Sequence, residues 1–435
     1  MLQKFKEHIQ LNFPFLKDKK LLIAISGGLD SVVLTQLLSE LNFDISLAHC
    51  NFQLRGKESD LDEYFVKLLS QKTYNQIFTI KFDTEKFSKN NKFSTQIAAR
   101  ELRYNWFQEL IEKHNFDFVL TAHHADDNLE TFLINLTRGT GLDGFTGIPK
   151  INGNIVRPLL AFSREEISTY AKSNNIDWRE DASNTSTKYI RNKIRHQIVP
   201  LLKEINPNLL ETFAKTSKNL QESKQIIEDK IADISAKVIE TENTILKINI
   251  KEINLLSNPK AYLHQLLRSY NFTEWNDVYN LLSAQSGKQV FSKTHRLLKD
   301  RELLLLSRKN ENHQEKIYFV SENDQEISNP ISLTFEDVEQ KNTENKETIY
   351  VDKELLKYPL IVRKWRNGDY IYPLGMQGKK KLSKYFKDEK FSLLKKESTW
   401  LLCNTENKII WVIHHRQDKR FVNDNNLKIS VKIKV

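Results

Sequence analysis

Near the N-terminus, the residues best equipped for chemistry are Ser26-Gly27-Gly28-Leu29-Asp30-Ser31. Two adjacent glycines let the chain turn tightly and bring backbone N–H groups close to an anion. A helix opening here would add partial positive charge, and Ser26 and Ser31 supply hydroxyl donors. The segment therefore has the means to cradle phosphate. It is not a Walker A loop, because no Gly-Lys-Ser/Thr follows, and it is not the dinucleotide Gly-x-Gly-x-x-Gly. A glycine turn with Asp30 or Ser31 capping a helix is the plain alternative; the complete Ser-Gly-Gly-x-Asp-Ser string favours phosphate.

Reactive side chains concentrate again at Thr121-Ala122-His123-His124-Ala125-Asp126-Asp127-Asn128-Leu129-Glu130-Thr131. Asp127 and Glu130 are three apart and share a face if the segment is helical. They could hold Mg2+, position an ammonium or accept a proton from an attacking amine. His123 could donate to phosphate or hold a carboxylate. A metal phosphohydrolase would use the same residue types, and acids in a first helical turn often only complement the dipole. Arg100 and Arg103, also three apart, could steady an α-phosphate; a solvated face with an ion pair to Glu101 competes with that reading.

Such residues work together only if a scaffold brings them to one edge. Leu21–Ile25 is a short continuous apolar run, as for a strand buried on both faces. Val33, Leu34, Leu37, Leu38 and Leu41 then recur at helical spacing over Asp30–Leu41. Strands over Ile45–Ala48, Ile77–Phe82 and Phe116–Thr121 alternate with helices over Asp60–Leu69, Ile97–Ile111 and Asp127–Leu136. This alternation predicts an α/β domain, a parallel sheet with helices on both faces. Ligands of such sheets bind at the carboxyl ends of the strands, where the glycine segment and the His-Asp cluster would meet.

From about residue 205 the pattern changes. Asn206-Pro207 reads as a helix start, and apolar residues from Leu209 to Val238 keep roughly helical intervals. Ala261–Ser283 is helical again, and Arg296–Ser307 reads as a hairpin with Lys299-Asp300-Arg301 as its turn. Glu322–Glu347 is a polar linker or exposed β-structure, and Ile349–Val435 holds short β-like runs. The expected division is 1–205, the α/β domain; 206–315, mostly helical; and 316–435, small and β-rich.

Composition bounds the partners. The chain has 435 residues and a net charge of +10, with 26 Lys or Arg against 24 Asp or Glu in residues 1–200 and 40 against 32 in residues 201–435. A basic second half suits a polyanion, although general lysine richness gives a similar balance. The apolar runs are too short to span a membrane, and residues 1–16 lack a signal-peptide core. The two cysteines, Cys50 and Cys403, form no CxxC; a reducing cytoplasm is the simplest compartment.

The Ser-Gly-Gly-x-Asp-Ser string after a first strand resembles the PP-loop of ATP pyrophosphatases, which split ATP between the α and β phosphates and transfer AMP to an oxygen. With the arginine and His-Asp clusters in this order, the chain is similar to the tRNA(Ile)-lysidine synthase family. Further segments carry that resemblance: Gly139–Pro149, Val156–Leu160, Trp178–Asn184, Tyr189–Arg195, Pro200–Leu202, Val362–Asp369, Pro373–Gly375 and Gly378–Phe386. The resemblance implies ATP and Mg2+ as cofactors, with tRNA(Ile) bearing a CAU anticodon and L-lysine as partners. No membrane is implied, and a homodimer is compatible with it. The reaction joins lysine to C2 of the first anticodon cytidine through an adenylated intermediate.

Carried over by position, Ser26, Gly27, Gly28, Leu29, Asp30 and Ser31 match the ATP loop, with Asp30 near metal or phosphates. Arg103, His123, Asp127 and Glu130 match active-site positions, and so does either Arg191 or Arg195. One departure lies at His49-Cys50-Asn51-Phe52-Gln53-Leu54-Arg55-Gly56, where Phe52 replaces a second histidine of the family's pattern. Arg363–Lys396 holds eleven Lys or Arg against three Asp or Glu, interleaved with Trp365, Tyr370, Tyr372, Tyr385 and Phe386. Such residues can contact phosphates and stack on bases, which makes Arg363, Lys364, Arg366, Lys379, Lys380, Lys381 and Lys384 the expected tRNA contacts. A charged rim on an ordinary β-domain is the competing reading. The resemblance thus assigns ATP binding and catalysis to 1–205 and tRNA contact to the two later domains.

Overall fold

The computed structural model describes residues 1–180, 190–309, 316–338, 347–373, 376–422 and 430–435. Asp181–Asn184, Tyr189, Leu374 and Gly375, named above in the resemblance, lie outside the described residues. The chain divides into two compact units, Met1–Glu228 and Asp229–Val435.

The first unit is built on a six-stranded sheet. Its strands are β1 (Leu21–Ala24), β2 (Ile45–Asn51), β3 (Gln76–Lys81), β4 (Phe118–Leu120), β5 (Ile151–Asn152) and β6 (Ile155–Val156), in the order β3-β2-β1-β4-β6-β5. All neighbours pair in parallel except β5, an antiparallel edge strand on β6. The period-2 alternation of β1 distributes its side chains to two cores. Leu21 and Ile23 pack with α1 (Leu2–Asn12), α2 (Leu29–Glu40) and α3 (Lys57–Thr73). Leu22 faces the other way, against Trp106, Phe107 and Leu110. Those three belong to α5 (Thr95–His114), which follows α4 (Thr84–Asn91). Helices therefore cover both faces, as the alternation required.

Next in the chain come α6 (Ala125–Arg138), α7 (Leu142–Phe145) and α8 (Arg164–Ser173). A helical stretch follows: α9 (Ile190–Lys193), a π-helical turn at Ile194–Ile198, and α10 (Val199–Ile205). The π turn has a local cause. Pro200 has no N–H and its ring crowds the carbonyl four residues back; the chain widens by one residue, and the Val199 N–H reaches Ile194 O instead. Ile194, Val199 and Phe213 pack on Leu129 and Ile134 of α6, fixing this stretch beside the rim of the sheet. α11 (Leu209–Val238) begins two residues after Pro207, because the Asn206 side chain accepts from the Asn208 N–H in the turn before it.

In the second unit, residues 239–308 combine short helices with an antiparallel sheet. The strands are β7 (Ile239–Glu242), β8 (Ile245–Asn249), β9 (Gln289–Phe291), β10 (His295–Asp300) and β11 (Leu303–Arg308), in the order β7-β8-β11-β10-β9. The helices are α12 (Ile250–Asn254), α13 (Pro259–Leu267) and α14 (Trp275–Asn280). The run Ala261–Ser283 is not one helix: Asn271 turns left-handed at φ 60° and Phe272 inserts into the core. The hairpin forms, but its turn is Arg301-Glu302, since Asp300 pairs with Leu303. The C-terminal region is antiparallel, with sheets that share a core of Val320, Val362, Leu402 and Trp411 on one side and Leu333, Ile349, Val351 and Ile433 on the other. Two short helices, Leu382–Asp388 and Leu393–Ser398, interrupt the strands there.

Candidate active site on the rim of the parallel sheet

The loop between β1 and α2 carries Ser26–Gly28. Gly27 sits at φ +88°, and a Cβ there would press on Val66 Cγ2 at 3.3 Å. Only glycine both adopts that backbone and clears α3. Ser31 Oγ accepts from the Ser26 N–H (3.2 Å) and donates to Gly28 O (3.0 Å); Ser26 Oγ accepts from the Gly28 N–H at 3.3 Å. The serines thus hold the loop closed around its own amides. Leu29, at the start of α2, is core rather than loop surface.

Asp30 follows in the first turn of α2, near His124 and within electrostatic reach of Asp127 and Arg195. Its Oδ1 is buried with no hydrogen-bond partner, and Oδ2 is 3.8 Å from His124 Nε2. Burial raises the Asp30 carboxyl above its usual range and Asp127 adds to the rise, against the pull of His124, Arg164 and Arg195. An orphaned carboxylate oxygen beside a phosphate-shaped loop has the chemistry of a hard-cation ligand. Among the described residues no group of three or more His, Cys, Asp or Glu is set to enclose a metal.

The start of α6 is organised by its cap. The His124 N–H donates to Asp127 Oδ2 (3.1 Å) and the Asp127 N–H points at His124 Nδ1 (3.4 Å). Nδ1 is thereby the acceptor, and Nε2 lies 3.3 Å from Asp127 Oδ2. Asp127 and Glu130 do share a face, and one arginine closes it. Arg195 Nε donates to Glu130 Oε1 (2.6 Å), and its Nη2 donates to Glu130 Oε2 (2.9 Å) and Asp127 Oδ1 (3.0 Å). Arg191 stands alongside, donating to Thr131 Oγ1 at 2.8 Å. Both arginines flank the pair: Arg195 hydrogen-bonds both acids, and Arg191 Nε lies 3.8 Å from Glu130 Oε2.

This geometry separates the two acids. Burial pushes both upward. For Asp127, His124, His123, a backbone donor and Arg195 outweigh burial, and it stays below the usual carboxylate range. For Glu130, which is 1% exposed, burial wins over Arg195 and the carboxyl is raised. His123, bonded through Nδ1 to Thr121 Oγ1 at 2.9 Å, is driven down to about 4, mainly by burial; it is a neutral imidazole at pH 7. Arg103 lies on α5 with its guanidinium 5.2 Å from the centre of the Phe52 ring, which itself stacks on Phe82. The residue that departs from the family pattern is therefore a platform for Arg103. Arg100 lies over Tyr104.

Comparison with known proteins gives the family. Residues 1–202 match the PP-loop domain family, 240–309 the TilS substrate binding domain and 360–433 the TilS substrate C-terminal domain. The tRNA(Ile)-lysidine synthase of Parabacteroides distasonis is 39% identical over 419 residues, covering 95% of this chain and 94% of that one. That of Bacteroides thetaiotaomicron is 38% identical over 436 residues, covering 100% and 99%. The chain belongs to the tRNA(Ile)-lysidine synthase family. Among solved structures, a U34-tRNA thiolase from Methanococcus maripaludis superposes with TM-score 0.42 at 18% identity, over 51% of this chain and 80% of that one.

Several residues of this family member's rim carry no signal in spacing alone. His124 reads as one of a histidine pair, yet only it caps α6; the cue is a polar residue three before Asp127. Asp126 is taken up by Lys203 Nζ (2.6 Å) and the Arg164 N–H (2.9 Å). His49 Nδ1 bonds to Ile25 O at 2.9 Å, bracing the loop from β2.

The expected tRNA-contacting residues divide in the second unit. Lys379, Lys381 and Lys384 are exposed. Lys380 pairs with Asp388 at 2.7 Å, and Lys364 lies 3.7 Å over the Trp400 ring, its ammonium lowered to about 8 by burial. Arg366 is half-buried, with its N–H on Asp369 Oδ2. Arg363 is 3% exposed and grips Asp369 with two 2.9 Å bonds; it braces the domain from inside. Tyr385 and Phe386 are core residues as well, because they face inward from the helix Leu382–Asp388, so no base can stack on them. Tyr370 remains accessible, with Lys379 and Arg420 against its ring.

Proposed function

We propose that the chain joins L-lysine to C2 of the cytidine at the first anticodon position of tRNA(Ile), using ATP and releasing AMP and pyrophosphate. The product is lysidine, which switches decoding from AUG to AUA. The observation that carries this reading is the placement of the Ser26–Ser31 loop, Asp30 and the Asp127–Glu130–Arg195 cluster together in a chain collinear with lysidine synthases.

Two steps are required. The C2 oxygen of cytidine is a poor leaving group. Attack of that oxygen on the α-phosphorus breaks the α–β bridge and expels pyrophosphate. The lysine ε-amine then attacks C2, the C2–O bond breaks and AMP leaves with the oxygen. In this reading the loop amides and the Ser26 and Ser31 hydroxyls hold the triphosphate, and Asp30 holds Mg2+, which neutralises phosphate charge. Arg103, Arg191 and Arg195 supply positive charge where it develops on phosphate. Asp127, kept ionised, attracts the lysine ammonium. Glu130, with its raised affinity for a proton, accepts the one the amine must lose. Neutral His123 donates a hydrogen bond without adding charge. Lys364, Arg366, Lys379, Lys381 and Lys384 provide phosphate contacts to the tRNA.

Sulfur transfer on a similar nucleotide domain is disfavoured by the thiols. Burial pushes both Cys50 and Cys403 to about 12, so neither is a thiolate nucleophile. The test is incubation with ATP, labelled lysine and an isoleucine tRNA transcript, followed by nucleoside analysis. Labelled lysidine should appear in step with AMP and pyrophosphate, and only when tRNA and lysine are both present. AMP release that ignores lysine, or label that never reaches the nucleoside, would reject the reading.

A further inference from the structure

We infer that Arg179 is a positioning residue for nucleotide binding, acting on the glycine loop through the main chain; this rests on the ATP-binding role proposed above. The Arg179 N–H donates to Gly27 O at 3.0 Å. That carbonyl shares one peptide unit with the Gly28 N–H. The unit is planar and trans, so fixing the C=O on one side fixes the N–H on the other. The Gly28 N–H is one of the loop amides available to a phosphate, its present partner being Ser26 Oγ at 3.3 Å. The direction of that amide is therefore set by where residue 179 is held.

What holds residue 179 is its own side chain. Arg179 Nε donates to Asp62 Oδ1 (2.5 Å), and its Nη2 donates to Glu58 Oε2 (2.7 Å). Asp62 is buried and bound on its other oxygen by Arg55 at 2.6 Å, so its rotamer is fixed from both sides. Asp62 and Glu58 lie on α3, one turn apart. The same helix carries Phe65 and Val66, which crowd the space that a Cβ on Gly27 would need. Trp178 is half-buried against the apolar core of the first unit. The segment through Arg179 thus laces the loop to α3 across 117 residues of sequence. The Arg179 bonds run to α3 and to the glycine loop, so its effect should fall on ATP.

Equilibrium titration of the full chain with ATP, without tRNA or lysine, reads this directly. Arg179→Gln should bind ATP about tenfold more weakly, the size expected for losing a charged hydrogen-bonded anchor. In turnover it should raise the KM for ATP while leaving kcat at saturating ATP and the KM for lysine unchanged. Arg179→Lys should recover part of the loss, because one donor can still reach Asp62. Asp62→Asn should weaken ATP in the same way, and the double variant should be no worse than the weaker single. Wild-type ATP affinity in Arg179→Gln, additive losses in the double variant, or an equal rise in KM for ATP, lysine and tRNA would each overturn the inference. A wild-type chain that fails to bind ATP would overturn the nucleotide reading itself.

Discussion

The rim of the parallel sheet and the basic face of the C-terminal region both collect charge, in opposite ways. On the rim, Asp127, Glu130 and Arg195 are at most 19% exposed and bonded to one another. On the basic face, Lys379, Lys381 and Lys384 are exposed. Buried charges are costly to desolvate and must be placed with partners before any substrate arrives. Exposed lysines cost little and gain their effect only when a polyanion comes near. Rim substitutions should therefore change chemistry or stability, and substitutions on the basic face should change affinity and its response to salt.

The sharpest separation is expected from Asp30→Ala. Removing the carboxyl at the loop should reduce AMP and pyrophosphate release by about 10^3-fold or more while tRNA binding, measured by gel shift, stays as in the wild type. Near-wild-type turnover by this variant would break the assignment of the rim. Arg195→Ala comes next. It strands Glu130 and Asp127 without their shared cation, and denaturant unfolding should show a loss of about 3 kcal/mol. Arg363→Ala, in the other unit, should cost a similar amount despite lying in a lysine-rich segment, because the largely enclosed Asp369 loses both guanidinium bonds and keeps the Arg366 N–H without a compensating charge.

His123 gives a pH signature. Its ring is at about 4 in the folded chain against about 6.5 when unfolded. Below pH 6.5 the unfolded chain takes up a proton that the folded one refuses. The stability contributed by this group is thus complete above about 6.5 and is lost as pH falls toward 4, by about 3 kcal/mol at most. His123→Gln should flatten that part of the stability–pH curve; an unchanged curve would mean the ring is not buried neutral. The smallest effect should come from Lys379, Lys381 and Lys384 changed together to Ala. Melting should hold steady, and the slope of log K for tRNA against log salt should fall by about 0.7–0.9 for each phosphate no longer neutralised. An unchanged slope would move the tRNA-binding surface elsewhere.

The sequence made the rim legible because its chemistry is local. A glycine pair after an apolar strand, and two acids three apart, state their geometry within a few residues. What stayed hidden depends on distant chain. Arg195 hydrogen-bonds both acids from at least 65 residues away, where Arg191 reaches only the ion-pair distance of 3.8 Å to Glu130. Arg179 reaches Asp62 from 117 residues away. The basic face misled in part, since composition does not tell a solvated lysine from a structural arginine. Arg363 finds Asp369 six residues on, a spacing that β-structure does not advertise. Tyr385 and Phe386 belong to a helix of seven residues within a region that reads as strands. In the middle region a five-stranded sheet accompanies the expected helices, its short strands falling between segments with helical spacing.

The most direct test of the account is a crystal structure with bound ATP. The triphosphate should lie along the amides of Gly27 and Gly28 and the hydroxyls of Ser26 and Ser31, with a cation on Asp30 Oδ1. Nucleotide bound at another site, with this loop empty, would contradict it.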